Sequence, residues 1–386
     1  MGRFSYREIE PEVVKATALD EGIETIDLEG CENISQLNIN AQVIQTDDGE
    51  QGVPIWEVIH KLEVLGNGSS VLKSYSGSEC RAIAAYSGIN LSTLGNYGRH
   101  GTDDKNYWSF PILFGRYPGD PKYMLNTDAW ESIKARIHWK ADTTTFNGTL
   151  YDVTASPGFK YAADAITYEG GSPPGLSGYI KSSRIKEFTA ATSTRTTTEI
   201  PRGYPLRGII SSQSYTLLQW FNFYDKIKLD FDNGKWVPIE CGYRQLQSMI
   251  NQWWPEPFEM SMYTDQASAN PFDTGFGWLT AMSGVSGSDS MDSLNLDHAP
   301  TFGRTALIAT EAGTAVTTET AWIIWTQGML PHHCLYIPMW KFADLGADAI
   351  PTSEYKRIDF DTTTDGTGAS GNCKILAEYI VPQGQT

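Results

Sequence analysis

The sequence predicts an all-β protein built as two tandem antiparallel β-sandwiches, each with a short helix after its second hairpin. Three observations carry this. The stretch Trp56–Gly88 reads as strand, tight turn, strand and helix, with Val58, His60, Leu62 and Val64 alternating against Ile59, Lys61 and Glu63. Asn67-Gly68 supplies the turn, because both residue types tolerate the positive φ of a type I′ hairpin. The same grammar returns at Tyr224–Trp254, where Ile227, Leu229 and Phe231 alternate and Asn233-Gly234 turns, 166 residues beyond the first turn. A second matched pair follows. Trp108–Lys140 and Cys334–Thr364 each hold an apolar strand with Pro111 or Pro338, then a Gly/Pro/Asp loop. An aromatic (Trp130, Tyr355) comes before the next strand at Ile133 or Ile358. Self-similarity at this scale is the first thing to establish in a chain, and it makes this one unit used twice.

Taken in order, residues 1–21 read as an N-terminal arm with a short helix broken by Pro11, ahead of a first unit at 22–156. Ile23–Leu28 and Ile34–Gln45 have strand composition. The hairpin follows, then Ser76–Ser78 as a helix N-cap with Cys80, Ile83 and Ala84 on one face. A polar loop spans Asn90–Asn106, and Thr149–Ala155 reads as the closing strand. Residues 157–183, with Gly170-Gly171 and Pro173-Pro174, read as the connection. The second unit is expected over 184–386, closing on a strand at Lys374–Val381. Its helix places Leu246, Met249, Ile250 and Trp253 at i, i+3, i+4 and i+7. About 20 residues separate helix and next strand in the first unit, whereas the second holds a long insertion at 258–333. That insertion contains GVSGSDSMDS, which cannot pack a core, beside Trp278, Trp322 and Trp325, so it is partly folded. Long insertions at a fixed loop usually carry surface function.

Composition narrows function further. A net charge of −17 argues against direct nucleic-acid binding, since a phosphate backbone needs clustered cations. Near the N-terminus Arg3, Arg7 and Lys15 are balanced by Glu8, Glu10 and Glu12. No apolar run reaches the ~18 residues of a membrane helix, and no signal-peptide pattern opens the chain. Cys31, Cys80, Cys241, Cys334 and Cys373 lack CxxC spacing and read as reduced, buried side chains of a cytoplasmic product. Asn33, Asn67, Asn90 and Asn147 begin N-x-S/T triplets that are chance in a Ser/Thr-rich chain.

Catalytic and metal patterns each fall short. Asp230, Asp232 and Gly234 resemble a calcium loop, but the glycine comes one position early and the distal Glu is missing. His332-His333-Cys334 would point to opposite faces of a strand and has no matching second ligand pair. Gly284-Val285-Ser286-Gly287-Ser288 misses the nucleophile elbow at its last position. Asp27 and Glu29 could share a strand face like a glycosidase pair, yet fit a solvated edge better. The sequence therefore yields no catalytic, cofactor or metal residue, and the protein is expected not to be an enzyme.

VIHKLEVLGNGSSVLKSYSG with its helix, the FPILFGRYPGDPKYMLNTDAWESIKARIHW run, EIPRGYPLRGII and KIKLDFDNGKWVPI together resemble the double jelly-roll major capsid proteins of tailless icosahedral viruses. That lineage includes adenovirus hexon and phages with an internal membrane, and the second run is similar to a segment of small-genome bacteriophage members. The resemblance spans nearly the whole chain. It implies two eight-stranded jelly rolls and a structural role: three copies form a capsomer whose six rolls make a pseudo-hexagonal block that tiles a virion shell. The implied partners are two further copies, neighbouring capsomers, minor capsid, penton and spike proteins, and an internal lipid membrane beneath the shell. The implied location is the virion, with assembly in the host cytoplasm. The alternative is an extracellular carbohydrate-binding or glycan-cleaving tandem β-sandwich, which the absent signal peptide and carboxylate pair disfavour.

Overall fold

A computed structural model gives the fold; it describes residues 2–15, 21–45, 55–91, 104–140, 159–213, 224–266, 276–286, 295–298, 307–311, 314–315, 320–365 and 371–385. The first roll comprises β1 (Arg3–Lys15), β2 (Glu21–Asp27), β3 (Asn33–Gln45), α1 (Ile55–Val58), β4 (Ile59–Gly66), β5 (Ser70–Tyr75), α2 (Gly77–Tyr86), β6 (Asp104–Leu113), the two-residue β7 (Leu125–Asn126), β8 (Ile133–Lys140) and β9 (Phe159–Glu169). The second begins with β10 (Tyr179–Thr189), β11 (Arg195–Glu199), β12 (Leu206–Gln213), β13 (Tyr224–Phe231), β14 (Trp236–Gly242) and α3 (Tyr243–Trp253). Next come the insertion strands β15 (Phe258–Gln266), β16 (Phe276–Ser286), β17 (Asn295–His298), β18 (Leu307–Glu311), β19 (Thr314–Ala315) and β20 (Thr320–Pro331). The roll then closes with β21 (Cys334–Pro338), β22 (Ile358–Thr364) and β23 (Asn372–Val381).

Wiring identifies the repeat. The first roll's sheets run β1-β9-β3-β6 and β2-β8-β4-β5; the second roll's run β10-β23-β12-β21 and β11-β22-β13-β14. Leaving out β7, which only extends the end of β3, both rolls order their eight strands 1-8-3-6 and 2-7-4-5. This is the jelly-roll arrangement of two packed sheets. In both, the helix lies between the fifth and sixth strands. The two rolls meet edge to edge where β5 and β10 pair in parallel at Lys73 and Ser182. Among the described residues the insertion strands pair in sheets only with one another, as β15-β20-β16 and β17-β18-β19.

Local chemistry explains each element. Asn67 and Gly68 take φ of 50° and 77°, as the hairpin turn requires. Asp232, Asn233 and Gly234 are all left-handed in the second hairpin, so its turn is longer than two residues. Ser76 caps α2 in a reciprocal box: its side chain accepts from the Glu79 N–H, and the Glu79 carboxylate accepts from the Ser76 N–H at 2.7 Å. Ser76→Ala is expected to lower stability by about 1 kcal/mol, read as a reduced urea midpoint; an unchanged midpoint would mean that the cap contributes nothing. Pro111 and Pro338 sit on β6 and β21, the edge strand of each sheet, where a missing N–H costs no ladder bond. A 3₁₀ turn ending at Trp130 or Tyr355 leads into β8 and β22 in turn.

Several expectations are corrected. Residues 1–21 contain no described helix: Arg3–Lys15 is the first strand of the first roll, pairing with β9. Its register shifts between Glu8 and Glu10 and again between Glu10 and Val13, across Pro11, and its charges mark an edge strand. The expected connection at 157–183 contains β9, whose buried Phe159, Tyr161, Ala163 and Ala165 alternate with outward residues, and the start of β10. The strands of the first roll thus run from Arg3 to Glu169 rather than over 22–156, and those of the second begin at Tyr179 rather than 184. Trp56–Val58 belongs to a helical turn ahead of β4. The expected closing strand Thr149–Ala155 lies outside the described residues. Among the described residues no helix is long and apolar enough to cross a membrane.

Candidate functional site at the inter-roll seam

The acidic and histidine motifs lie in turns. Asp230 accepts the Gly234 N–H at 2.5 Å and pairs with Lys228, while Asp232 accepts the Lys356 and Arg357 N–H groups. Asp27 accepts the Glu29 N–H at 3.0 Å, a local turn rather than an acid pair. His332 and His333, at φ of 49° and 57°, form the turn between β20 and β21 instead of lying on a strand. Gly284–Ser286 lies in β16, and Gly287-Ser288 falls outside the described residues. All five cysteines are free, four of them buried.

The polar chemistry of the molecule is concentrated instead where the two rolls meet. α2 belongs to the first roll but is wedged against the outer face of β10-β23-β12-β21. Ser211 bonds Tyr224 inside the second sandwich, so its neighbour Ser212 faces outward, where it donates to Glu79 at 2.5 Å. Tyr86 donates to the Cys334 carbonyl at 2.8 Å and stacks on Tyr336 with ring centroids 5.4 Å apart. Arg81 donates to His332 at 3.2 Å and lies over the Trp108 ring. Burial, then Arg81 and His333, hold His332 well below its ordinary pKa, so it is neutral; burial lowers Arg81 to about 9, and it stays charged.

A second cluster lies beside it. Lys73, 1% exposed, donates to Ser182 at 3.0 Å, and Ser182 donates to Glu378 at 3.2 Å. Arg207 and Tyr336 both donate to the other Glu378 oxygen, at 3.2 and 2.7 Å. Burial works against the Arg207 charge, but Tyr336 and Glu378 more than offset it and its pKa is raised. Burial dominates at Lys73 and brings it down to about 8, despite Glu378. Farther along, Asp348 of the second roll receives Arg116, Lys122 and Tyr123 of the first, and these hold its carboxyl below the usual range against the effect of burial. At Gly178 an added Cβ would lie 2.3 Å from the Val381 carbonyl, so the chain crosses between rolls where only glycine fits.

Of these seam residues the sequence singles out only His332 and Cys334, as a metal candidate, and places none at a contact between rolls. A buried Lys or Glu carries no periodic signal; only the helix wedge, a hairpin-helix unit repeated twice, was visible.

This seam joins two sandwiches into one body and offers no nucleophile–base pair, and among the described residues no group of three or more potential metal ligands gathers. No protein-family pattern matches the chain, and no curated sequence does. Solved structures do match over its length. The major capsid protein of Sulfolobus turreted icosahedral virus aligns with a TM-score of 0.58 at 11% identity, covering 98% of this chain and 97% of its own. The capsid protein of the virus PBCV-1 gives 0.57 at 8% identity, covering 98% and 93%. The major capsid protein P2 of bacteriophage PM2 gives 0.54 at 10% identity, covering 98% of each. The fold is the double jelly roll of these proteins.

Proposed function

We propose that this chain is the major capsid protein of an icosahedral virus, three copies of which close into a ring of six jelly rolls. The observation that carries the reading is the duplicated wiring itself, 1-8-3-6 and 2-7-4-5 in both halves. Two equivalent rolls per chain let a threefold ring present near-sixfold edges, and a single recurring heterologous contact suffices to close it. Supporting it, the matched solved proteins are viral capsid components aligned over 98% of this chain. A seam that buries ion pairs and aromatics, with no reaction centre, fits a block that acts through its surfaces. The insertion strands, joined to the rolls by no sheet, would form the tower on the outer face. Neighbouring capsomers and vertex proteins would be the further partners.

Light scattering of the purified protein in about 0.5 M salt should show a trimer, because packing buried from solvent is weakly screened. Each contact should bury more than ~1,000 Å², with aromatics enriched. A single species at the 42.8 kDa monomer mass across micromolar concentrations removes the capsomer reading.

A further inference from the structure

Two surfaces that this chain carries in duplicate are covered in one roll and open in the other. α2 is buried all round, from Gly77 through Tyr86 with Ser78 half-buried, because the second roll lies over it. α3, at the same place in the second roll, leaves Gln245, Ser248, Asn251 and Gln252 exposed while Leu246 and Ile250 face its own core. The outer face of β10-β23-β12-β21 is the one that α2 covers. The matching face of β1-β9-β3-β6 holds a depression of about 330 Å³ whose polar lining is Glu12, Asn40, Ser109 and Lys160 with the buried Gln42 at its base, flanked by the exposed Tyr107.

The registers align the two faces rung by rung. Pro111 lies opposite Asn38 on β3, and Pro338 lies opposite Gly208 on β12. Stepping from that rung, Ser109 corresponds to Tyr336 and Gln42 to Ser212. Asp164, opposite Asn38, likewise corresponds to Glu378, opposite Gly208. The helices align from their N-caps Ser76 and Gly242, so Gln245 takes the place of Glu79 and Gln252 that of Tyr86. The depression is therefore the vacant counterpart of the place where Glu79 meets Ser212 and Tyr86 meets Tyr336.

We propose that α3 of a second copy of this chain lies in this depression, with Gln252 against Ser109. This inference rests on the ring reading above and specifies its contact. The chemistry of that contact differs from the seam inside the chain. Where α2 brings the carboxylate of Glu79 and the guanidinium of Arg81 to the seam, the exposed row of α3 is uncharged, Gln245, Ser248, Asn251 and Gln252, and it meets Asn40 and Ser109 beside the Glu12–Lys160 pair and the Tyr107 ring. Two carboxylates lie nearby and both are already partnered: Asp164 is held by Asn38 and Asn40 at 2.5 and 2.6 Å, and Glu12, on the wall of the depression, accepts from Lys160 at 2.8 Å, so closure strands no charge. Amide rows discriminate by hydrogen-bond register, which suits a contact that must form with one partner face and no other.

The test is thiol cross-linking of the full chain carrying Ser109→Cys and Gln252→Cys together, with a short bifunctional maleimide. Covalent dimers and trimers are expected on a denaturing gel for the double variant. The two single variants co-expressed should give dimers only, and wild type or either single variant alone none. Gln252→Lys with Gln245→Lys, both on exposed positions, should raise the dissociation concentration of the oligomer by about tenfold or more. A wild-type trimer whose double-cysteine variant is itself trimeric but does not cross-link, and whose lysine variant dissociates no more readily, overturns this contact and leaves the ring reading standing. A monomeric wild type overturns both.

Discussion

Replacing Glu378 with Ala should destabilise the protein by about 3–5 kcal/mol, the scale seen when one partner is removed from a buried ionic cluster. Glu378 is 2% exposed and is the acceptor on which Ser182, Arg207 and Tyr336 converge. Without it, Lys73 and Arg207 remain buried as like charges with no anion between them, and the Tyr336 hydroxyl loses an acceptor. Glu378→Gln keeps acceptor and donor atoms in place but not the charge, and should fall between wild type and Ala. Pairing Glu378→Ala with Lys73→Met should recover part of the loss, because it removes one of the stranded cations, and the coupling in that double-mutant cycle measures the interaction directly. The readout is the urea midpoint at neutral pH. A loss below about 1 kcal/mol for Glu378→Ala would mean that water reaches the cations and the seam is open.

Much of the architecture is legible in the sequence, for identifiable reasons. Asn67-Gly68 and Asn233-Gly234 announce hairpins because left-handed φ is costly for most other residues, and the structure places both turns in that region. Leu246, Met249, Ile250 and Trp253 announce α3 because one of its faces is open to solvent. α2 gives a weaker periodic signal for the opposite reason: it is buried on every side, and Arg81 and Glu79 lie as deep as Ile83. β1 is misread as a broken helix because an edge strand is kept charged and carries its proline at a bulge, which looks like a disrupted amphipathic pattern. β9 is hidden by its neighbour, since Gly170-Gly171 and Pro173-Pro174 advertise a loop that begins only after Glu169. The seam escapes entirely. Lys73 is joined to Glu378 through Ser182 across separations of 109 and 196 residues, a juxtaposition that only folding creates. Sequence patterns report which face of an element is buried, and the seam buries the faces that patterns assign to solvent.

Lys73 should leave its mark in alkaline solution. Its pKa is brought down to about 8 by burial, against about 10.4 in an unfolded chain. Between those values the unfolded state holds more protons than the folded one, so the contribution of Lys73 to stability rises with pH; below about pH 8 both states are charged and the full cost of burying the ammonium is present. The rise can reach about 3 kcal/mol. Cys80 and Cys373 act in the opposite sense. Burial pushes both up to about 12, so the unfolded state sheds their protons first and stability falls over part of the same range. The total curve mixes these slopes, and the informative quantity is the difference between wild type and Lys73→Met. Methionine is close in shape to the lysine stem and can pack beside Phe114, whose ring centroid lies 5.7 Å from Nζ, so the variant is expected to fold. Wild-type stability minus variant stability should climb from about pH 8 to about pH 10, measured by urea unfolding at each pH. A flat difference across that interval would show that the Lys73 ammonium is hydrated in the folded protein and that the two rolls do not exclude water where β5 meets β10.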